Sequence, residues 1–158
     1  LGGKTKGFEV GAQTFFHFLP GLLSGFGVQA NYTFVDSKTD TSVAGLQTPI
    51  ANLSKHSFNT SLIYEKGGLS ARLAYNWRDK FYSSLLSNDI VTNVSVYTRA
   101  REWLDASIGY DITDKITVTV EGGNLLRSKT RTYFGVPTRP GNYEQDSRTV
   151  MAGVRFTL

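Results

Sequence analysis

The strongest constraint on this chain is a period of two, sustained over runs far longer than an ordinary strand. In GFEVGAQTFFHF, Phe8, Val10, Ala12, Phe16 and Phe18 share one parity, while Glu9, Gly11, Gln13 and His17 hold the other. The same alternation sets Phe26, Val28, Ala30, Tyr32 and Phe34 against Gln29, Asn31 and Thr33. It continues with Phe58, Thr60, Leu62 and Tyr64, then with Leu69, Ala71, Leu73, Tyr75 and Trp77. Leu104, Ala106, Ile108, Tyr110 and Ile112 follow, then Ile116, Val118 and Val120, and a closing run from about Gln145 that ends in MAGVRFTL. Successive side chains of a strand point to opposite faces, so each run reads as a strand with one apolar and one polar face. Seven such strands of about 10 to 14 residues are expected, against about 5 to 6 in a usual globular strand. Ten residues at about 3.3 Å each, tilted by about 45°, rise roughly 23 Å, close to the apolar band of a membrane barrel.

The connections alternate in length. PGLLSG (20–25), KGG (66–68) and TDK (113–115) are short and rich in turn residues. Lys38 to Ser54, Ser83 to Thr98 and Arg127 to Glu144 are long, and are expected to be loops. All the short turns therefore fall at one end of the meander, as they do on the periplasmic side of outer-membrane barrels. On the apolar parity, Phe16, Phe18, Phe26, Tyr64, Tyr110 and Phe156 mark one end, and Phe8, Phe34, Phe58, Tyr75 and Trp77 the other. Ala12, Ala30, Leu62, Ala71, Ala106 and Val118 fill the middle, so two aromatic girdles flank an aliphatic band. The opposite parity carries Glu9, Gln13, Gln29, Asn31, Asn59, Glu65, Arg72, Asn76, Asp105, Asp111, Glu121 and Arg155, a set suited to a wet lumen and ruinous in a dry core. Alternation by itself does not say which face points inward. A soluble lipocalin-like barrel would bury the apolar set; a transmembrane barrel would turn it to lipid.

Composition narrows the function classes. With 17 Lys and Arg against 13 Asp and Glu, the net charge is +4, yet no basic run exceeds two residues, so no nucleic-acid stripe is present. The chain has no cysteine, which removes disulfides and thiolate metal sites. His17 and His56 are far apart without carboxylates at ligand spacing, so girdle or structural roles are expected and no metal. No Ser/His/Asp set, phosphate loop or dinucleotide fingerprint is legible, so neither an enzyme nor a cofactor is expected. The start LGGKTKGFEV has neither an initiator Met nor a signal-peptide pattern, and the chain reads as a piece of something larger.

Three stretches carry a family resemblance. GGKTKGFEVGAQ resembles the G-x-x-x-x-G-hydrophobic-E opening of a late strand in TonB-dependent receptors of the bacterial outer membrane. VTVEGGNLLRSKTRTYFG is similar to that family's penultimate strand, which runs through an N-L segment into a loop bearing Y-F-G. YEQDSRTVMAGVRFTL resembles its last strand, although Leu158 stands where the family most often has an aromatic, which here is Phe156. The resemblance implies an all-β, antiparallel up-and-down transmembrane barrel of which residues 1–158 are the C-terminal portion. The whole would be a 22-stranded barrel closed by an N-terminal plug, with that plug and the earlier strands lying outside this chain. It further implies energised uptake of a scarce nutrient: a ferric siderophore, cobalamin, heme or an oligosaccharide. The implied partners are outer-membrane lipid and lipopolysaccharide, the missing strands and plug, the barrel-insertion machinery, the energy-transducing TonB protein acting through the plug, and the nutrient itself.

Within that frame, loop and lumen residues are the candidates for ligand capture. Arg131, Tyr133, Phe134, Arg139 and Tyr143 interleave cations with aromatics, which suits an anionic chelate or a sugar; a loop facing lipopolysaccharide phosphate would look similar. Trp103 lies on the polar parity beside Arg101, where a lumen-facing Trp needs a reason. Gly153, Phe156 and Leu158 stand where a C-terminal assembly signal is expected. Two other architectures remain open from the residues alone: a small eight-stranded outer-membrane barrel serving as adhesin, binding or structural protein, and the soluble lipocalin-like barrel.

Overall fold

A computed structural model describes residues 2–43, 45–87 and 93–157 of the chain. In chain order the strands are β1 (Gly3–Phe15), β2 (Phe26–Asp40), β3 (Gln47–Thr48), β4 (His56–Lys66), β5 (Leu69–Arg78) and β6 (Phe81–Leu86). They continue with β7 (Val94–Thr98), β8 (Arg101–Thr113), β9 (Ile116–Gly123), β10 (Lys129–Phe134), β11 (Pro140–Gln145) and β12 (Thr149–Phe156). The seven expected strands are β1, β2, β4, β5, β8, β9 and β12, and they form one antiparallel meander in that order, with β3 appended to β2. Among the described residues β1 and β12 are its two edges.

Register follows the alternation. Leu62 lies opposite both Val28 and Leu73, and Leu73 opposite Ala106, so aliphatic residues form a continuous row across four strands. The polar parity forms its own rows: Asn31 faces Asn59, which faces Asn76, which faces Trp103. Polar contacts cross that face, with Asn31 Nδ2 donating to Glu9 Oε1 at 3.0 Å and Arg72 donating through Nε and Nη2 to Ser61 Oγ. Aromatics cluster where the girdles were expected. At the long-connection end Phe8 stacks on Phe34 and Phe34 meets His56, whose Nδ1 lies 2.6 Å from the Tyr32 hydroxyl. At the short-turn end Phe26 meets Tyr64 edge-on and Phe16 meets Phe18 edge-on, while His17 stacks on Phe15, which is on the polar parity.

Turn chemistry explains the sharp returns. The β4–β5 hairpin closes through Gly67 and Gly68 at φ of 61° and 79°, the doubly left-handed turn that matches strand twist. Gly27 is required for a different reason, since a Cβ there would sit 2.7 Å from the Phe15 ring that covers it.

Three expectations need correction. β9 and β12 have only 8 residues each, shorter than the expected 10 to 14. The closing run does not start at Gln145, because Gln145 ends β11 and residues 146–148 are pinned outside the ladder by contacts described below. The stretches Ser83–Thr98 and Arg127–Glu144 are also not simple loops. They contribute to β6, β7, β10 and β11, which form a second sheet in the order β11-β10-β7-β6 (positions 88–92 of the first stretch lie outside the described residues).

The meander has no apolar core of its own. Among the described residues, the only buried hydrophobics are Tyr82 and Tyr133, and both belong to the second sheet. Leu62 and Leu73, mid-strand and mutually opposed, are 46% and 43% exposed and belong to one exposed apolar face with Val10, Ile108, Val120 and Val154, as the lipid-facing side of a membrane barrel requires. An arginine at either position is expected to destabilise the assembled barrel by about 2–4 kcal/mol, whereas Gln29→Arg on the polar face leaves assembly intact. Heat-modifiable mobility after outer-membrane extraction, together with urea unfolding in detergent, reads both effects.

Candidate functional site

The long connections fold onto one another. Tyr97 of β7 lies opposite Tyr133 of β10, and their rings stack at 5.4 Å; Tyr82 of β6 closes edge-on against Tyr97 at 5.9 Å. Three tyrosines therefore join two hairpins that are more than thirty residues apart in sequence. The first long connection is tied in as well. Ser54 forms a bridge with Phe81, Asn52 N–H donates to the Tyr82 carbonyl, and Arg78 donates to Ser54 Oγ at 2.8 Å while its guanidinium lies over the Phe81 ring.

A second clamp sits where β9 ends. Asn124 is almost fully buried and adopts φ of 52°, a conformation asparagine tolerates better than most residues. Its N–H donates to Asp105 Oδ1 at 2.8 Å. Its Nδ2 donates to the carbonyls of Asp146 and Ser147, and its Oδ1 accepts from Ser128 N–H at 2.7 Å. One side chain thus holds the exit of β9, the start of β10 and the approach to β12. This is what keeps residues 146–148 out of the ladder, since two of their carbonyls turn to Asn124.

These clamps frame two concavities. One, of about 520 Å³, lies on the polar face at its long-connection end, with Trp103 and Asn76 in its wall and Arg78 and Arg101 as cations. The other, of about 540 Å³, opens between the start of β8 and the β9–β10 connection. Lys80, Arg99, Arg101, Arg127, Lys129 and Arg131 line it, against the acidic Asp79 and Glu102. Arg101 reaches both, with Nη2 at 3.0 Å from Asp146 Oδ2 and its guanidinium 5.8 Å from the Trp103 ring. A hollow with six cations to two carboxylates draws in anionic ligands.

The residues expected to bind ligand are distributed as follows. Arg101 and Trp103 meet in the first concavity; Arg101 and Arg131 line the second. Tyr133 borders the second but is only 4% exposed, stacked on Tyr97 with the Arg99 guanidinium over it, so its main role is to hold the sheet together. Phe134, Arg139 and Tyr143 line neither hollow. Phe134 N–H donates to the Arg139 carbonyl and closes the turn, and the Phe134 ring approaches Gly141. Tyr143 is 55% exposed and donates its hydroxyl to Gln145 Oε1. Lys80, Arg78 and Arg99 were not expected. Their signal is the pairing of WRDK with TRAR, basic stretches that bracket one connection and are brought together when it folds back as a hairpin. Asn124 had only a weak signal, an asparagine after two glycines at the end of a strand.

At the other end of the meander, Gly153 pairs with Thr119 and Phe156 with Ile116, and Phe156 is exposed on the apolar face. Leu158 lies outside the described residues. Among the described residues no group of three His, Cys, Asp or Glu could hold a metal ion.

Asn124→Ala leaves the Ser128 N–H and two carbonyls without their partner and should cost about 2–4 kcal/mol of stability. Asn124→Gly relieves the backbone but not the lost amide, so it should recover less than half of that loss. Urea unfolding of the detergent-solubilised protein separates the two.

A family model described as TonB dependent receptor-like, beta-barrel matches residues 2–125, more than three-quarters of the chain. Neither the comparison with curated proteins nor that with solved structures gives a match. The match spans β1 to β9, and β12 pairs with β9 along its whole length, so the last strand continues the same wall. The family is one of bacterial outer-membrane receptors and transporters, which decides the direction of the apolar face that alternation left open. Its barrel, of the transmembrane class, also displaces the small eight-stranded and soluble lipocalin-like readings. With a receptor-barrel match over most of its length and a matching antiparallel meander, the chain belongs to the TonB-dependent receptor β-barrel family.

Proposed function

We propose that this chain is the C-terminal wall of a receptor for energised uptake of a scarce anionic nutrient, with the concavity of β8 and the β9–β10 connection as part of its outer capture site. The observation that carries this reading is the ring of six cations at the long-connection end, the end that faces outward in an outer-membrane barrel. Among the nutrients the family resemblance left open, such a ring favours a ferric chelate with anionic donors, or heme through its propionates, over cobalamin or a neutral oligosaccharide. Trp103 and Arg101 then stand one step further in, on the lumen side of the wall.

Among the described residues the seven-stranded meander has two unpaired edges, and bare edges are prohibitively costly in lipid, so the reading requires further strands beside them. A 22-stranded barrel would take about fifteen more. The amide-rich rows of Gln29, Asn31, Asn59 and Asn76 would face a plug, through which TonB acts, and Gly153, Phe156 and Leu158 would present the assembly signal to the insertion machinery.

The test is charge removal at exposed members of the ring. Lys80→Gln, Lys129→Gln and Arg131→Gln combined in the complete receptor should weaken binding of a ferric tris-catecholate by about tenfold or more at low ionic strength, and flatten its salt dependence. Binding of cobalamin or maltohexaose should not respond. Unchanged affinity for the ferric chelate and for heme would remove the ring from the capture site.

A further inference from the structure

One of the three short connections is apolar. KGG (66–68) and TDK (113–115) return the chain through glycine and polar residues, as turns standing in water do, whereas the passage from β1 to β2 reads FLPGLLSG. Its residues Gly21–Gly25 form a single 3-10 turn, in which Leu22 and Leu23 are 73% and 50% exposed. This turn does not hang free below the wall. Gly25 is buried where it leans on β4: a Cβ there would sit 2.8 Å from Lys66 Cβ and 3.0 Å from the Tyr64 ring. Lys66 Nζ donates to the Gly21 carbonyl and, at 2.6 Å, to Ser24 Oγ, which itself donates to the Gly21 carbonyl at 2.9 Å. The lysine is a strut that fixes the turn against the neighbouring strand.

Parity tells on which side the turn leans. Tyr64 and Lys66 continue the row of Leu62 along β4 and lie opposite Ala71 and Leu69, all on the apolar face. The turn therefore folds onto the lipid-facing side of the wall, away from the lumen. β4 is paired on both sides, by β2 and β5, so the exposure of the leucines does not come from the bare edge at β1. Depth agrees. Tyr64, edge-on to Phe26, marks the girdle at the hydrocarbon boundary, and Lys66 is two residues past it. At about 3.3 Å per residue and a tilt of about 45°, that is roughly 5 Å of depth, within an interfacial layer about 5–7 Å thick. Such a layer takes up leucine side chains that water disfavours, and the charge of Lys66 is met there by oxygens of the turn itself.

We propose that the β1–β2 connection, through Leu22 and Leu23 and braced by Lys66, is an interfacial anchor that sits at the headgroup–acyl boundary of the periplasmic leaflet and packs against glycerophospholipid there. Lipid is the occupant because the apolar surface of the turn is continuous with the lipid-facing wall: it rests on Tyr64, which lies opposite Phe26, and the next pair inward is Val28 with Leu62. The turns that close β4–β5 and β8–β9 carry no such residues, so the anchor holds one sector of the wall, β1, β2 and β4, at a fixed height in the bilayer. It needs only the outer-membrane placement and is independent of which nutrient the receptor takes. Loss of nutrient binding would leave it standing, and loss of the anchor would leave the capture site standing.

The test measures depth directly. This chain has no cysteine, so a nitroxide label on Leu22→Cys is unique within it. The complete receptor, carrying that label alone, is reconstituted into vesicles of phosphatidylethanolamine and phosphatidylglycerol. Asp114→Cys, in the exposed β8–β9 turn, carries the same label as reference, so the label's own affinity for lipid cancels. Collisions with oxygen, which concentrates in hydrocarbon, are compared with collisions with nickel ethylenediaminediacetate, which stays in water. The oxygen-to-nickel ratio should be severalfold higher at position 22 than at position 114. Lys66→Met, which keeps the stem and removes the ammonium, should make the label at position 22 more mobile. Heat-modifiable mobility checks that each variant has assembled. Equal ratios at the two positions would overturn the anchor. Shielding of position 22 from both reagents would indicate a protein contact, and broadening that vanishes on dilution with unlabelled receptor would indicate a second copy; either overturns the lipid assignment. Unchanged mobility in assembled Lys66→Met would remove Lys66 as the brace.

Discussion

Backbone hydrogen bonding in a medium without water is the constraint from which the rest of this protein follows. Each peptide N–H and carbonyl within the bilayer must find a partner in a neighbouring strand, because lipid offers none. The long ladders of β1, β2, β4, β5 and β8 are the result, and they replace the apolar core as the source of cohesion. Side chains are then released from packing against one another and are sorted by solvent. Leu62 and Leu73 can face lipid, and Asn59 and Asn76 can face the lumen, because neither row has to be buried against protein. The same constraint makes the edges at β1 and β12 the least self-sufficient part of the chain.

Beyond the bilayer that logic reverses. The outer hairpins stand in water, and there the chain builds what the wall does without. Tyr82, Tyr97 and Tyr133 form a small packed core, and buried Asn124 holds three segments through its amide. The charged mouth depends on this stiffness. Six cations at close quarters repel, and they stay together because β10 is paired to β7 and because Arg99 and Arg101 rest on aromatic rings. Arg101 joins the two hollows, with one side toward Trp103 and the other held by Asp146.

Four of the six cations of the hollow are arginines, and two of them, Arg99 and Arg101, lie over aromatic rings. The mild net charge of +4 conceals this cluster, since carboxylates elsewhere offset most of it.

Alternation determined the strand number, the two faces, the girdles and the direction of the long connections, because in a meander each of these depends only on local period and on turn residues. It placed Phe8, Phe34, Leu62 and Trp103 on the faces they occupy. The three family-like stretches added the receptor class. What sequence could not show is how the long connections meet. The pairing of Tyr97 with Tyr133, the reach of Asn124 to Asp146, and the approach of Lys80 and Arg99 to Arg131 join residues tens of positions apart. The shortening of β9 and β12 follows from the same clamps. Such contacts carry no period. They arise only when hairpins from separate connections pack in three dimensions, so the tertiary structure alone decided which of the predicted cations and aromatics gather at the mouth and which, like Tyr133, hold it together.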